Sequence, residues 1–278
     1  MLLRVGDLEF GYDRAGDGEP VMLVMGLGTP RIGWFHQFGF LSQHDFDVVS
    51  FDNRGCGETR CESQWTIEDM ASDVVAIADA FDFGTFHLVG ISMGGMISQE
   101  VVLAYPDRIR TLTLMATTPG GPESVPMTPE YMTAMMLPDP AERMRKSIEM
   151  TFGEKYRTEN PEMMKVIIDA ATGGTVDGLI PIGAEGVGTA GFFAQVMAVV
   201  NWMAGGGAAS RLGDIGTPTL VLHGGDDHLL PLGNGEILGR DIPGARFRVW
   251  PDAGHALTHE YADEVNAELL GHLSAARV

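Results

Sequence analysis

Short apolar runs of strand length, each closed by a glycine-rich turn, recur through the first 115 positions and return after position 217. Leu8-Glu9-Phe10-Gly11-Tyr12 reads as a strand leading to a turn at Gly16-Asp17-Gly18. Val21-Met22-Leu23-Val24-Met25 is apolar at every position and ends at Gly26-Leu27-Gly28. Phe46-Asp47-Val48-Val49-Ser50-Phe51 ends at Asp52-Asn53-Arg54-Gly55-Cys56-Gly57. A strand with no polar alternation buries both faces, the condition of a parallel strand covered by helices on each side. Between these strands the period changes. Residues 67–81 place Met70, Val74, Val75, Ile77 and Ala78 at helical spacing, with Thr66 as cap and Asp69 as an imperfect capping-box partner. Phe86-His87-Leu88-Val89 predicts a strand, 96–105 a helix stopped by Pro106, and 109–115 a strand. Strands follow at 218–223 and 246–250, and a last helix at 261–273. Strand and helix in alternation predict an α/β fold, a doubly wound and mostly parallel sheet.

The alternation stops near Thr118. From there to about Ser210 no strand pattern occurs, and helical spacing is clearest at 139–152, 161–171 and 188–203. The expected organisation is a core of residues 1–118 and 211–278 split by a helical insertion, 119–210. The glycine-rich stretch Ala204-Gly205-Gly206-Gly207-Ala208-Ala209-Ser210 reads as a flexible hinge back to the core.

Composition narrows the function classes. With 278 residues, 45% hydrophobic and 20% charged, the chain fits one large globular α/β domain. A formal net charge of −20 argues against nucleic acid or an anionic membrane as partner, since both repel it. The plainer role of such a surface is solubility. No apolar run approaches the length of a bilayer span, and the start turns acidic before a leader-length apolar region forms. The two cysteines, Cys56 and Cys61, have no cluster of ligand residues around them, so neither a zinc site nor a disulfide scaffold is expected. The expectation is a cytoplasmic protein without metal or other cofactor.

The chemistry centres on Gly90-Ile91-Ser92-Met93-Gly94, which has a predicted strand before it and a predicted helix after it. A sharp strand-to-helix turn strains the serine backbone, lets neighbouring segments approach the glycines, and sets Ser92 at a helix N-terminus that favours negative charge. The alternative is a glycine-rich turn with a serine cap. A serine hydroxyl needs a base. Of the eight histidines, His255 in Ala253-Gly254-His255-Ala256-Leu257 follows the last predicted strand, on the same sheet edge as Ser92. His87 and His223 lie in or at the end of strands and read as structural, and His36 as a packing residue that could line a pocket. His44, His259 and His272 read as solvated surface. The base needs a carboxylate to fix its tautomer, and His223-Gly224-Gly225-Asp226-Asp227-His228 offers two, which local physics does not separate.

Four features stand in one order: Asp52-x-Arg54-Gly55-x-Gly57, Gly90-x-Ser92-x-Gly94-Gly95, Gly224-x-x-Asp227-x-x-x-Pro231 and Gly254-His255. Together they resemble the α/β-hydrolase superfamily over residues 21–273, and within it bacterial carboxylesterases of the aclacinomycin methylesterase-like kind. The resemblance implies a triad of Ser92, Asp227 and His255, its acid-to-proline spacing selecting Asp227. It implies an oxyanion hole from the backbone N–H groups of Met93 and Leu27, although this chain has Met25-Gly26 where many relatives have His-Gly. It also makes the insertion a cap. Ten of the 17 methionines fall there, and Met132, Met135, Met136, Met163, Met164 and Met197 either line an adaptable apolar pocket or pack cap against core. The expected activity is hydrolysis of a small-molecule carboxylic ester through an acyl-enzyme. The same triad would serve a lactonase, a carbon–carbon bond hydrolase, an amidase or a perhydrolase. A non-catalytic binding protein would show a missing triad member or a blocked turn, and neither occurs.

Overall fold

Strands apolar on both faces need helices on both sides, and the computed structural model, which describes residues 1–61, 63–172 and 189–276, has that arrangement. In chain order the elements are β1 (Leu2–Val5), β2 (Leu8–Ala15), β3 (Glu19–Val24), α1 (Phe35–Leu41), β4 (Phe46–Phe51), α2 (Ile67–Ala80), β5 (Phe86–Ile91), α3 (Met93–Ala104) and β6 (Ile109–Met115). Then follow α4 (Pro129–Met135), α5 (Pro140–Glu149), α6 (Glu154–Glu159), α7 (Pro161–Ala171) and α8 (Thr189–Ala204). The chain closes with β7 (Thr219–Gly224), α9 (Gly233–Asp241), β8 (Arg246–Trp250), α10 (Leu257–Glu260) and α11 (Ala262–Ser274). Among the described residues the strands form one eight-stranded sheet in the order β1-β2-β4-β3-β5-β6-β7-β8. β1 and β2 run antiparallel to their neighbours, and the pairings from β4 through β8 are parallel.

Alternate side chains of each central strand go to opposite faces. Val21 and Leu23 join Val48, Val89, Leu220 and Leu222 in a core closed by Leu41 of α1 and Val265, Leu269 and Leu273 of α11. Met22 and Val24 face the other way, with Leu88, Leu112 and Leu114, against α2, α3 and α9. Each fully buried aliphatic contributes about 1.5–3 kcal/mol by leaving water, which is why these strands carry no polar alternation. α2 starts at a complete capping box: Asp69 N–H donates to Thr66 Oγ1 at 3.1 Å and Thr66 N–H to the Asp69 carboxylate at 2.8 Å.

Several elements go beyond the sequence pattern. β1 is a four-residue edge strand with no buried residue, too short and too exposed to give a period. α9 begins Gly233-Asn234-Gly235, against helix propensity, and is held by the buried side chains of Ile237 and Leu238. The last predicted helix, 261–273, is α11, and a separate one-turn helix, α10, precedes it. His272, expected at the surface, is buried, and its Nε2 bonds the Leu112 carbonyl at 3.2 Å.

The described residues between β6 and β7 hold α4 to α8 and no strand. Gly188, where the third predicted helix of this interval begins, lies outside the described residues, as does the rest of 173–188. The two ends of this interval meet. Ala208 N–H donates to Pro119 O at 2.8 Å, and a Cβ on Gly120 would stand 2.9 Å from Gly207 Cα. The glycine-rich exit, expected as a flexible hinge, is packed on the entry. Of the six methionines singled out in the sequence, Met164 is buried with Phe152 and Ile168, and the other five are exposed.

Candidate active site

Ser92 joins β5 to α3 with φ 56° and ψ −123°, a conformation that costs a non-glycine residue about 1–3 kcal/mol. Its neighbours enforce it. Ser92 N–H donates to Met115 O of β6 at 2.9 Å, and its carbonyl accepts the Thr117 hydroxyl at 2.7 Å. A Cβ on Gly94 would lie 2.0 Å from Val24 O, and one on Gly90 2.3 Å from Gly94 O. The first turn of α3 is therefore pressed onto the ends of β3 and β5, and the chain before and after Ser92 is buried while Ser92 itself keeps partial exposure.

The loop after β3 passes beside this serine. A Cβ on Gly26 would be 3.0 Å from Ser92 Cβ and 3.5 Å from its Oγ. The Asn53 side chain donates to Met25 O at 2.8 Å on one side of the loop, and Gly28 N–H donates to Gln195 Oε1 at 2.7 Å on the other. Among the described residues no acceptor takes the N–H of Leu27 or that of Met93. Both remain available to a ligand oxygen.

Asp227 and His255 follow β7 and β8 on the same edge. Asp227 Oδ2 bonds His255 Nδ1 at 2.8 Å, and its Oδ1 accepts the N–H groups of Leu229 and Leu230, each at 2.9 Å. A carboxylate only accepts, so Nδ1 carries the imidazole proton and Nε2 is left with a lone pair. The Asp227 side chain is wholly buried whereas that of His255 is 12% exposed, so the carboxylate is shielded from water and the imidazole is not. Asp226 turns away: its carboxylate accepts Glu154 N–H at 2.7 Å and lies 3.2 Å from His228 Nε2. His223 Nε2 donates to Leu230 O at 2.7 Å and stands 3.7 Å from Asp227. Burial pushes His223 below the usual imidazole range, so it sits there neutral and does not compete with His255 for the carboxylate. The Ser92 hydroxyl makes no hydrogen bond with another described residue; nucleophile–base contacts are commonly long until substrate is bound.

Two features of the site had little or no sequence signal. Glu260 accepts Gly254 N–H at 3.0 Å and Gly153 N–H at 3.1 Å, tying the His255 loop to the start of α6. Burial raises its carboxyl to about 7, against the pull of those two donors, with Asp226 and Asp227 adding to the rise. Beside it His259, expected at the surface, packs in an aromatic group with Phe35, His36, Phe152 and Tyr156, and burial lowers it to about 4. Gln195 had a faint signal, as the one polar residue between Thr189 and Asn201.

A family model described as the alpha/beta hydrolase fold matches residues 19–176 and 191–260. The chain belongs to this family. Hydrolase chemistry is the functional statement that membership carries. The chain is 28% identical over 275 residues, 94% of its length and 90% of the other, to a 2-hydroxy-6-oxo-6-phenylhexa-2,4-dienoate hydrolase of Comamonas testosteroni. A solved structure of Est816, titled an N-acyl homoserine lactone degrading enzyme, matches with TM-score 0.79 and 28% identity over 98% of this chain and 99% of that one. A thermophilic esterase from Thermogutta terrifontis matches with TM-score 0.78 and 25% identity over the whole of both chains. This α/β hydrolase thus shares its fold with enzymes named for different bonds. Among the described residues no helix is long and apolar enough to cross a membrane.

Proposed function

We propose that this α/β hydrolase is a serine esterase that cleaves a small-molecule carboxylic ester through an acyl-enzyme. The observation that carries the reading is the bond from Asp227 to His255 Nδ1, which leaves Nε2 basic on the sheet edge where Ser92 is held in strained geometry. Ser92 Oγ attacks the ester carbonyl carbon as its proton passes to His255 Nε2. The carbonyl oxygen becomes an oxyanion, received by the N–H groups of Met93 and Leu27; a donor of this kind is typically worth about 3 kcal/mol in the transition state. The imidazolium, stabilised by Asp227, gives its proton to the departing alcohol oxygen, and the acyl group stays on Ser92. A water then loses its proton to Nε2, attacks the acyl carbon, and releases the acid while the proton returns to Ser92. Residues 119–210 act as the cap that shapes the acyl pocket and limits water.

A lactone is an internal ester, and the likeness to the lactone-degrading Est816 supports ring opening by the same steps as a second reading. Steady-state hydrolysis of p-nitrophenyl esters of graded acyl length, run beside a homoserine lactone panel, tests both. The ester reading predicts turnover of p-nitrophenyl esters that is lost in Ser92→Ala. Turnover confined to lactones would select the second reading, and full activity in Ser92→Ala would remove both.

A further inference from the structure

α8 belongs to the insertion, yet it lies directly on the loop that carries the candidate oxyanion donor. A Cβ on Gly191 would be 2.2 Å from Gly55 O, so the two backbones touch. The Phe192 ring covers Gly28, where a Cβ would stand 3.1 Å from it. One turn on, Gln195 is fully buried and uses both ends of its amide. Oε1 accepts Gly28 N–H at 2.7 Å and Nε2 donates to Arg54 O at 2.8 Å. The partners fix the amide orientation, since a backbone N–H must donate and a carbonyl must accept. Asn53, the residue before Arg54, donates to Met25 O at 2.8 Å. The tripeptide Gly26-Leu27-Gly28 is therefore gripped at both ends by amides, Asn53 from the sheet side and Gln195 from the insertion. The Leu27 N–H stands between the two grips.

We propose that Gln195 is a positioning residue that aims the Leu27 N–H, so that oxyanion stabilisation depends on a side chain of the insertion. The proposal rests on the serine-esterase reading. An apolar side chain of similar size makes neither bond and leaves the Gly28 N–H and the Arg54 carbonyl unpaired. The loop would relieve that loss by rotating, which turns the Leu27 N–H off the oxyanion.

The test compares wild type, Gln195→Met and Gln195→Glu. Met keeps the volume and removes both bonds. Glu keeps the acceptor for Gly28 and sets a carboxylate against Arg54 O. The readouts are kcat and KM for p-nitrophenyl acetate, Ki for a trifluoromethyl ketone that forms a tetrahedral adduct, the rate of fluorophosphonate labelling, and Tm. Gln195→Met is expected to lower kcat and weaken the ketone by the same factor, about 10- to 100-fold, with KM within about threefold. Gln195→Glu should fall at least as far, because its charge opposes the growing oxyanion, and it decides the matter alone if the Met variant does not fold. A loss of Tm or of kcat without a matching loss of ketone affinity would overturn the proposal, as would two variants that behave like wild type. Wild type that is not labelled on Ser92 would instead overturn the esterase reading and this inference with it.

Discussion

The segment between β6 and β7 meets the edge of the sheet that carries Ser92 and His255 on two sides, and the two contacts use opposite chemistry. Under α8 the contact is neutral: one amide, Gln195, between Gly28 N–H and Arg54 O. At the start of α6 it is acidic. Glu260 takes the N–H groups of Gly153 and Gly254, Asp226 takes that of Glu154, and Ala256 N–H donates to Thr151 O at 2.9 Å. Amide bonds do not change with pH between 4 and 9. A carboxyl held at about 7 does, and it sits next to the loop of the proposed base. The Gln195 side is thus a fixed support, while the Glu260 side carries a group that titrates near neutral pH.

The largest effect should come from Asp227, on the histidine side. Asp227→Asn is expected to lower kcat by about 10³- to 10⁴-fold, because an amide misorients the imidazole tautomer. If Asp226→Asn cost as much, the two acids would have exchanged roles. Next is the loss of about 10- to 100-fold expected for Gln195→Met on the neutral side. Its pH profile should stay parallel to that of wild type, because no titrating group is touched.

Glu260→Gln separates the two sides by pH. Glu260 is raised from 4.5 to about 7 in the fold, so between those values the folded chain holds a proton that the unfolded chain has released. Its contribution to stability is complete below pH 4.5, falls as pH rises to 7, and is constant above. His259, lowered from 6.5 to about 4, has the opposite sign and gains stability over that rise. The difference in Tm between variant and wild type isolates Glu260. It should shift in favour of the variant by roughly 4–5 °C from pH 4.5 to 7, and a flat difference would show that Glu260 does not titrate there. The smallest effect is expected for Asp226→Asn, about 1 kcal/mol of stability from the weakened bond to Glu154, with kcat within about threefold.

The neutral and acidic contacts also differ in how far the sequence revealed them. Strands with buried pairs such as Val21 and Met22 announce a covered parallel sheet, and the residues that end them, Ser92, Asp227 and His255, gather on one edge because parallel strands share a direction. The choice between Asp226 and Asp227 came only from resemblance to the family, because both follow the same strand; in the structure it is the Asp227 carboxylate that bonds His255. Gln195 was visible only as one polar residue in an apolar helix, and its partners lie 141 and 167 positions away. His259 reads as solvated surface and Glu260 gives no signal, since nothing local foretells that α6 packs over them. β1, α4, α6 and α9 are short or rich in glycine and proline, and tertiary contacts hold them where propensity does not.

The proposed mechanism depends above all on Ser92 as the nucleophile. Its most direct test is peptide mass spectrometry after brief reaction with a fluorophosphonate and, separately, with p-nitrophenyl acetate at low pH to trap the acyl-enzyme. One adduct is expected, on Ser92, formed slowly in Asp227→Asn and absent in Ser92→Ala. An adduct on another residue, or wild-type turnover with no adduct on Ser92, would contradict that mechanism.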